Sequence, residues 1–234
     1  QLLEERPDPK VMLGGGMTNR WHKMHLMGTV PDYEPLLENT VEQQAKRRGV
    51  RPEEVVLEHM LERGGRGLIY VTFLNYADGN LEASRQMLEH PDTVPGLSDG
   101  GAHVGMICDG SFPTSNLTLW TRDRTRGPKL PLEKMVRAQT LDTAETVGLY
   151  DRGLIEVGYR ADLNVIDYDR LTLHAPEPVY DLPAGGRRLI QRASGYVATV
   201  CAGQITYRDG EPTDALPGRL VRGAQAAPVR AAAE

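Results

Sequence analysis

A chain of 234 residues with 27 basic and 32 acidic side chains, net charge -5, is long enough for one large domain or a domain with an appendage. Its mildly acidic balance, without any dense lysine and arginine run, carries no electrostatic footprint for nucleic acid or an anionic membrane. Two cysteines, Cys108 and Cys201, are too few for a disulfide scaffold and suit a reducing, cytoplasmic compartment.

Gln1–Lys10 is mixed and polar and does not read as a signal peptide, and no apolar run approaches the roughly 20 residues of a membrane span. Residues 1–34 show little periodicity, although Trp21–Met27 alternates like a short strand and Pro31-Asp32 marks a turn. From Pro35 the spacing turns helical: Leu37, Val41 and Ala45 recur every four residues, and Gly49 supplies a stop. A second helix follows, with Pro52 in its first turn and Glu53 and Glu54 complementing the dipole. Val56/Met60 and Leu57/Leu61 are its apolar pairs, and Gly64-Gly65 ends it. Leu68–Leu74 is a nearly unbroken apolar run, the pattern of a strand covered on both faces. Asn80 can cap a third helix that includes Leu81 and Leu88 and stops near Pro91, and Val94–Ser98 is a short strand. Strand, helix and strand predict one parallel βαβ unit. A loop rich in glycine and polar residues spans 99–116, and Leu132, Met135, Val136 and Gln139 mark another amphipathic helix. Beyond Gly153 the chain changes character. Ala161–Asp167, Leu171–His174, Leu189–Arg192, Tyr196–Cys201 and Gln204–Arg208 read as short strands joined by turns such as Ala202-Gly203 and Arg208-Asp209-Gly210. The Ala-, Arg- and Pro-rich stretch 218–234 reads as a loose or disordered tail.

The stretch best suited to chemistry is Gly96-Leu97-Ser98-Asp99-Gly100-Gly101-Ala102-His103. A carboxylate leaving the carboxyl end of a parallel strand stands where α/β barrels place reactive groups. Gly100 and Gly101 let the backbone approach a ligand or metal, and His103 follows in the same turn. Locally, the alternative is that Asp99 caps the next element and the glycines only turn the chain. Of the other histidines, His22 and His25 are three apart in a poorly patterned stretch, His59 is mid-helix, His90 ends a helix and His174 lies among the later strands. None forms a His-x-His or His-Glu-x-x-His arrangement, and structural roles suit them better than metal ligation. Cys108 reads either as a small buried hydrophobe or as a loop thiol near the site.

Three stretches resemble the amidohydrolase superfamily, and most closely its N-acyl-D-amino-acid deacylase (D-aminoacylase) branch. They are Gly67 through His90-Pro91 into Pro95-Gly96-Leu97-Ser98-Asp99-Gly100; Ala138-Gln139-Thr140 through Val147-Gly148-Leu149, Asp151-Arg152-Gly153 and Gly158-Tyr159-Arg160-Ala161-Asp162-Leu163; and Ala184-Gly185-Gly186 with Val200-Cys201-Ala202-Gly203-Gln204. The resemblance implies an α/β fold, the C-terminal portion of a (β/α)8 TIM barrel over 1–150, with β-sandwich strands over 151–217 and a tail over 218–234. It implies Asp99 as general acid/base and possible metal neighbour, and a divalent metal, usually zinc; the local pattern adds His103 and Gly100 as substrate-binding positions. The family's histidine ligands lie on earlier strands, which here would precede residue 1. The opening at Gln1, inside what reads as continuing structure, agrees with a fragment accompanied by its missing N-terminal part or a partner chain. A trimmed flexible terminus is the plainer explanation.

The implied reaction is metal-dependent hydrolysis of linear, non-peptide amides of the N-acyl-amino-acid type. The fragment alone is expected to be inactive. The branch's arginine for the substrate carboxylate has no counterpart in Val104–Thr114. Arg122 and Arg124 come next, and they read as an exposed helix start. Two other readings stay open: a non-catalytic binding or assembly module with this architecture, and a cyclic-amide hydrolase.

Overall fold

The computed structural model describes residues 19–96 and 98–229, which divide into two compact units, Gln1–Ser84 and Arg85–Glu234. In the first, strand β1 (Met24–Leu26) follows a single 3-10 turn at Trp21–Lys23. The helix expected from Pro35 is split: Leu37–Asn39 is a 3-10 turn, and the Thr40 hydroxyl accepts the Gln43 amide to start α1 (Val41–Arg48) afresh. A threonine N-cap satisfies an amide that the helix itself cannot. Glu42 in the first turn and Lys46, Arg47 and Arg48 in the last complement the helix dipole.

Helix α2 (Pro52–Gly65) loses helical geometry at Glu62, Arg63 and Gly64. Its buried stripe is Val55 and His59, not the expected Val56/Met60 and Leu57/Leu61 pairs; Leu57, Met60 and Leu61 are 39%, 49% and 67% exposed. The reason is polar. His59 Nε2 lies 3.0 Å from the Leu68 carbonyl, and that bond sets the rotation of the helix about its axis. At the same crossing a Cβ on Gly67 would sit 1.8 Å from the His59 carbonyl oxygen, so only glycine fits.

Strand β2 (Ile69–Val71) occupies the centre of the expected Leu68–Leu74 run, but it pairs antiparallel with β1, in the register Met24↔Val71, His25↔Tyr70, Leu26↔Ile69. Among the described residues no strand pairs parallel with β2, and the described part of Val94–Ser98 forms no strand, so the expected parallel βαβ unit is not formed there. Pro95 has no N–H to give a ladder, and Val94 is 40% exposed. Met24, Val41, Ala45 and Val55 form the core of this unit, with Trp21, Leu26, Val50, Val56, Ile69 and Val71 packed around them. Helix α3 (Glu82–Glu89) begins where the Asn80 side chain accepts the Glu82 amide at 2.8 Å, the expected cap.

In the second unit α4 (Phe112–Thr118) runs into a wider π turn at Leu119–Asp123, followed by α5 (Leu132–Gln139) and α6 (Leu141–Thr146). Met135 on α5 and Leu171 are fully buried, and Leu117, Trp120, Leu130 and Ala138 are buried with them. The strands β3 (Leu163–Ile166), β4 (Thr172–Leu173), β5 (Glu177–Leu182), β6 (Gly186–Ile190), β7 (Ala193–Ser194), β8 (Tyr196–Cys201), β9 (Gln204–Arg208) and β10 (Glu211–Pro212) are short. They form a four-stranded sheet in the order β10-β9-β8-β3 and two hairpin-like pairs, β4-β7 and β5-β6, all antiparallel. Part of the expected loose tail is tied back: the Gln225 amide donates to the Gly148 carbonyl at 2.8 Å, and the Tyr150 amide donates to the Gln225 carbonyl at 3.1 Å. The whole is a mixed α/β chain. Among the described residues no helix is long and apolar enough to cross a membrane.

Candidate active site

The segment 99–111 leaves no strand among the described residues, so turns hold it. The Val104 amide reaches the Gly101 carbonyl at 3.4 Å, Val104 itself is buried, and its carbonyl accepts the Leu189 amide of β6 at 2.8 Å. Ser111 donates its hydroxyl to the Gln191 side chain just beyond β6. Thr114 on α4 and Tyr196 on β8 share a hydroxyl–hydroxyl bond of 2.7 Å. Within the segment Asp99 Oδ1 and His103 Nε2 are 2.6 Å apart, with the side chains 44% and 68% exposed. If the carboxylate is ionised, Nε2–H is the donor. Asp99 Oδ2 remains as the carboxylate's second acceptor. The pair is thus open to a solute from outside and joined so that a proton can pass along it.

Of the expected substrate contacts, His103 meets Asp99 directly, while Gly100 is exposed beside it, with nothing within 4 Å of where a Cβ would stand. Asp109 is a member of the arrangement that sequence reading passed over: its Oδ1 accepts the Asp99 amide at 2.5 Å. The Asp109-Gly110 pair, a turn signal by composition, was the available hint.

The other candidates lie in different surroundings. His22 is exposed while His25, on β1, is buried, so they do not form a matched pair. His59 is buried between the Leu68 carbonyl and the Glu62 carboxylate, 3.0 Å from each. His90 accepts the Asp92 amide at 3.2 Å, and His174 meets the Ser194 hydroxyl at 3.0 Å. Cys108 is half-buried; its thiol is pushed up chiefly by burial and next by the Asp109 carboxylate. Arg122 and Arg124 are not an exposed helix start. Arg122 donates to the Tyr168 and Leu171 carbonyls, and its bond to Asp123 raises its pKa further. Arg124 is 2% exposed, stacked 5.2 Å from the Trp120 ring centroid and donating to the Pro128 carbonyl.

The metal that the resemblance implies has no complete site here. Among the described residues no three His, Cys, Asp or Glu side chains come together to hold an ion. Asp99 and His103 supply two donors at most, and these are bonded to each other. A protein site for zinc takes three or four ligands, so the described residues do not fit the metal by themselves.

The chain is similar over 114 residues to two curated proteins named 5-methylthioadenosine/S-adenosylhomocysteine deaminase, from Desulfitobacterium hafniense strains DSM 10664 / DCB-2 and Y51. Each is 28% identical, and the match covers 45% of this chain and 26% of each relative. The match thus spans about a quarter of the length of these relatives. No solved structure matches the chain. The profile described as "Amidohydrolase family" matches residues 16–207, most of the chain's length, and the chain therefore belongs to the amidohydrolase family.

Proposed function

We propose that this chain is part of a metal-dependent hydrolase of non-peptide C–N bonds, with N-acyl amino acids as the leading substrate class and Asp99 as the proton-transfer group. The observation that carries the reading is the Asp99–His103 contact of 2.6 Å in an exposed, turn-held segment of a chain that belongs to the amidohydrolase family.

Amide cleavage needs such a group. An amine leaves readily and an amide anion does not, so a proton must be taken from the attacking water and delivered to nitrogen. A carboxylate bonded to histidine through one oxygen keeps the other free to do both. His103 holds the carboxylate's orientation, and the flanking Gly100 leaves room for the scissile group.

In this reading residues 1–150 are the closing segment of a (β/α)8 barrel whose parallel pairing forms only with the preceding strands, 151–217 are β-sandwich strands and 218–234 are the tail. The preceding strands belong to the same protein or to a partner chain, and they carry the histidines that hold the metal, zinc being the proposed ion. Exposed Leu61, Phe73 and Leu74, at 67%, 54% and 66%, support a covering neighbour, because apolar surface is better removed from water. A deacylase-like branch fits the three resembling stretches. With Arg122 and Arg124 engaged inside the protein, however, neither is presented to the carboxylate of a D-amino acid.

The deaminase relatives favour a second reading, hydrolytic removal of an amino group from a purine-type ring, in which Asp99 would protonate the departing ammonia. The deciding experiment uses the full-length protein, assayed for amine released from a panel of N-acetyl amino acids and for ammonia released from 5-methylthioadenosine. Its metal content is measured alongside. Amine release and about one or more equivalents of metal, with activity abolished in Asp99→Asn, is the expected result. Ammonia from the nucleoside without amide cleavage selects the second reading. An Asp99→Asn protein as active as its parent ends both.

A further inference from the structure

We infer that Asp109 is a positioning residue that sets the place of the Asp99 carboxylate by holding the Asp99 backbone. The inference rests on the proposed role of Asp99. The segment between residues 99 and 110 closes on itself. Asp109 Oδ1 accepts the Asp99 amide at 2.5 Å, the Asp109 carbonyl accepts the Phe112 amide at 3.0 Å where α4 begins, and a Cβ on Gly110 would stand 3.2 Å from the Asp99 carbonyl oxygen. The Asp99 side chain is held separately, by His103 at 2.6 Å. Two acceptor–donor contacts therefore fix one residue from opposite sides, Asp109 on its main chain and His103 on its carboxylate.

The fold anchors the closed segment at its middle and just past its far end: the Val104 carbonyl accepts the Leu189 amide at 2.8 Å, and Ser111 bonds Gln191. No strand among the described residues leads into Asp99, so the bond to Asp109 does the work that a sheet would do elsewhere. An ionised acceptor on a backbone amide is among the stronger hydrogen bonds. A proton-transfer group displaced by an ångström loses much of its rate.

The test compares Asp109→Ala, Asp109→Asn, Gly110→Ala and Asp99→Asn in the full-length protein, by steady-state hydrolysis of N-acetyl amino acids. Asn keeps an Oδ1 that can accept the Asp99 amide, and Ala does not. The expected result is kcat lowered about tenfold in Asp109→Ala with KM changed less than about twofold, and most of the loss restored in Asp109→Asn. Gly110→Ala, which crowds the Asp99 carbonyl, should lower kcat as well. In the unsubstituted protein the Asp99 amide should exchange its hydrogen more slowly than its exposed neighbours, and Asp109→Ala should remove that protection. Parental kcat in Asp109→Ala beside an inactive Asp99→Asn overturns the inference and leaves the role of Asp99 standing. Equal losses in Asp109→Ala and Asp109→Asn, or an unprotected Asp99 amide in the parent, also overturn it. Full activity in Asp99→Asn removes the reading on which it rests.

Discussion

Tyr33, Tyr70 and Tyr76 in the first unit and Asp99, His103 and Asp109 in the second are both small polar networks, but they are held in opposite ways. Tyr76 donates its hydroxyl to the Tyr33 carbonyl at 2.6 Å, so Tyr70 must be the donor in the bond between the two hydroxyls. The rings of Tyr33 and Tyr76 lie edge-on to Tyr70, with centroids 5.4 and 6.3 Å away. The hydroxyl hydrogens of Tyr70 and Tyr76 are both committed inside the protein. Burial first of all pushes both phenols well above the ordinary tyrosine value of 10.0, Tyr76 to about 12. Asp99 and His103 are instead exposed and bonded to each other, and only the backbone of Asp99 is tied down, by Asp109. Satisfied, half-buried networks stabilise a fold. An exposed pair whose carboxylate keeps a second oxygen has a hydrogen-bond acceptor left to offer a substrate.

The contrast can be broken most directly by removing one member of each network. Asp99→Asn should reduce C–N hydrolysis in the full-length protein by at least about 100-fold with little change in thermal stability, whereas Tyr70→Phe should leave kcat unchanged and cost about 1 kcal/mol of stability. Equal kinetic effects would erase the distinction. Packing beside the first network gives the next largest effect. Gly67→Ala forces a Cβ to within 1.8 Å of the His59 carbonyl oxygen, and denaturant unfolding should show a loss of about 3 kcal/mol.

Alkaline titration sharpens the comparison further. Well below pH 10 both phenols keep their protons whether the chain is folded or not. Between 10 and about 12 the unfolded chain releases protons that folded Tyr70 and Tyr76 retain, so stability must fall as pH rises through that window. Urea midpoints measured across it should drop less steeply in Tyr70→Phe than in the parent. The smallest effect belongs to the surface: Glu58→Gln, which breaks an exposed contact of 2.5 Å with Arg48, should change stability by less than about 0.5 kcal/mol.

Elements that depend on neighbours in the chain were legible before any coordinates. Tyr196–Cys201 and Gln204–Arg208 read as short strands around the Ala202-Gly203 turn, and those are the bounds of β8 and β9. Ala202 and Gly203 both take positive φ in the turn, the backbone that a two-residue hairpin requires. Asn80 announces the start of α3 for the same local reason. Helix α4 was hidden, because Phe112–Thr118 is rich in Thr, Ser and Asn, which weaken an isolated helix. It forms because Thr114, Asn116, Leu117 and Thr118 are buried, with Thr114 bonded to Tyr196, 82 residues away.

Sequence alone determined the family resemblance, the mixed α/β character and the choice of Asp99 and His103 as the residues to watch, since composition, period and turn chemistry act over a few neighbouring residues. Tertiary structure decided that β2 pairs antiparallel with β1, that His59 rather than Met60 faces inward, and that Asp109 grips the backbone of Asp99. Each of these is a contact between parts of the chain brought together by packing and by the need to satisfy backbone hydrogen bonds. No local pattern encodes which distant donor will meet which acceptor.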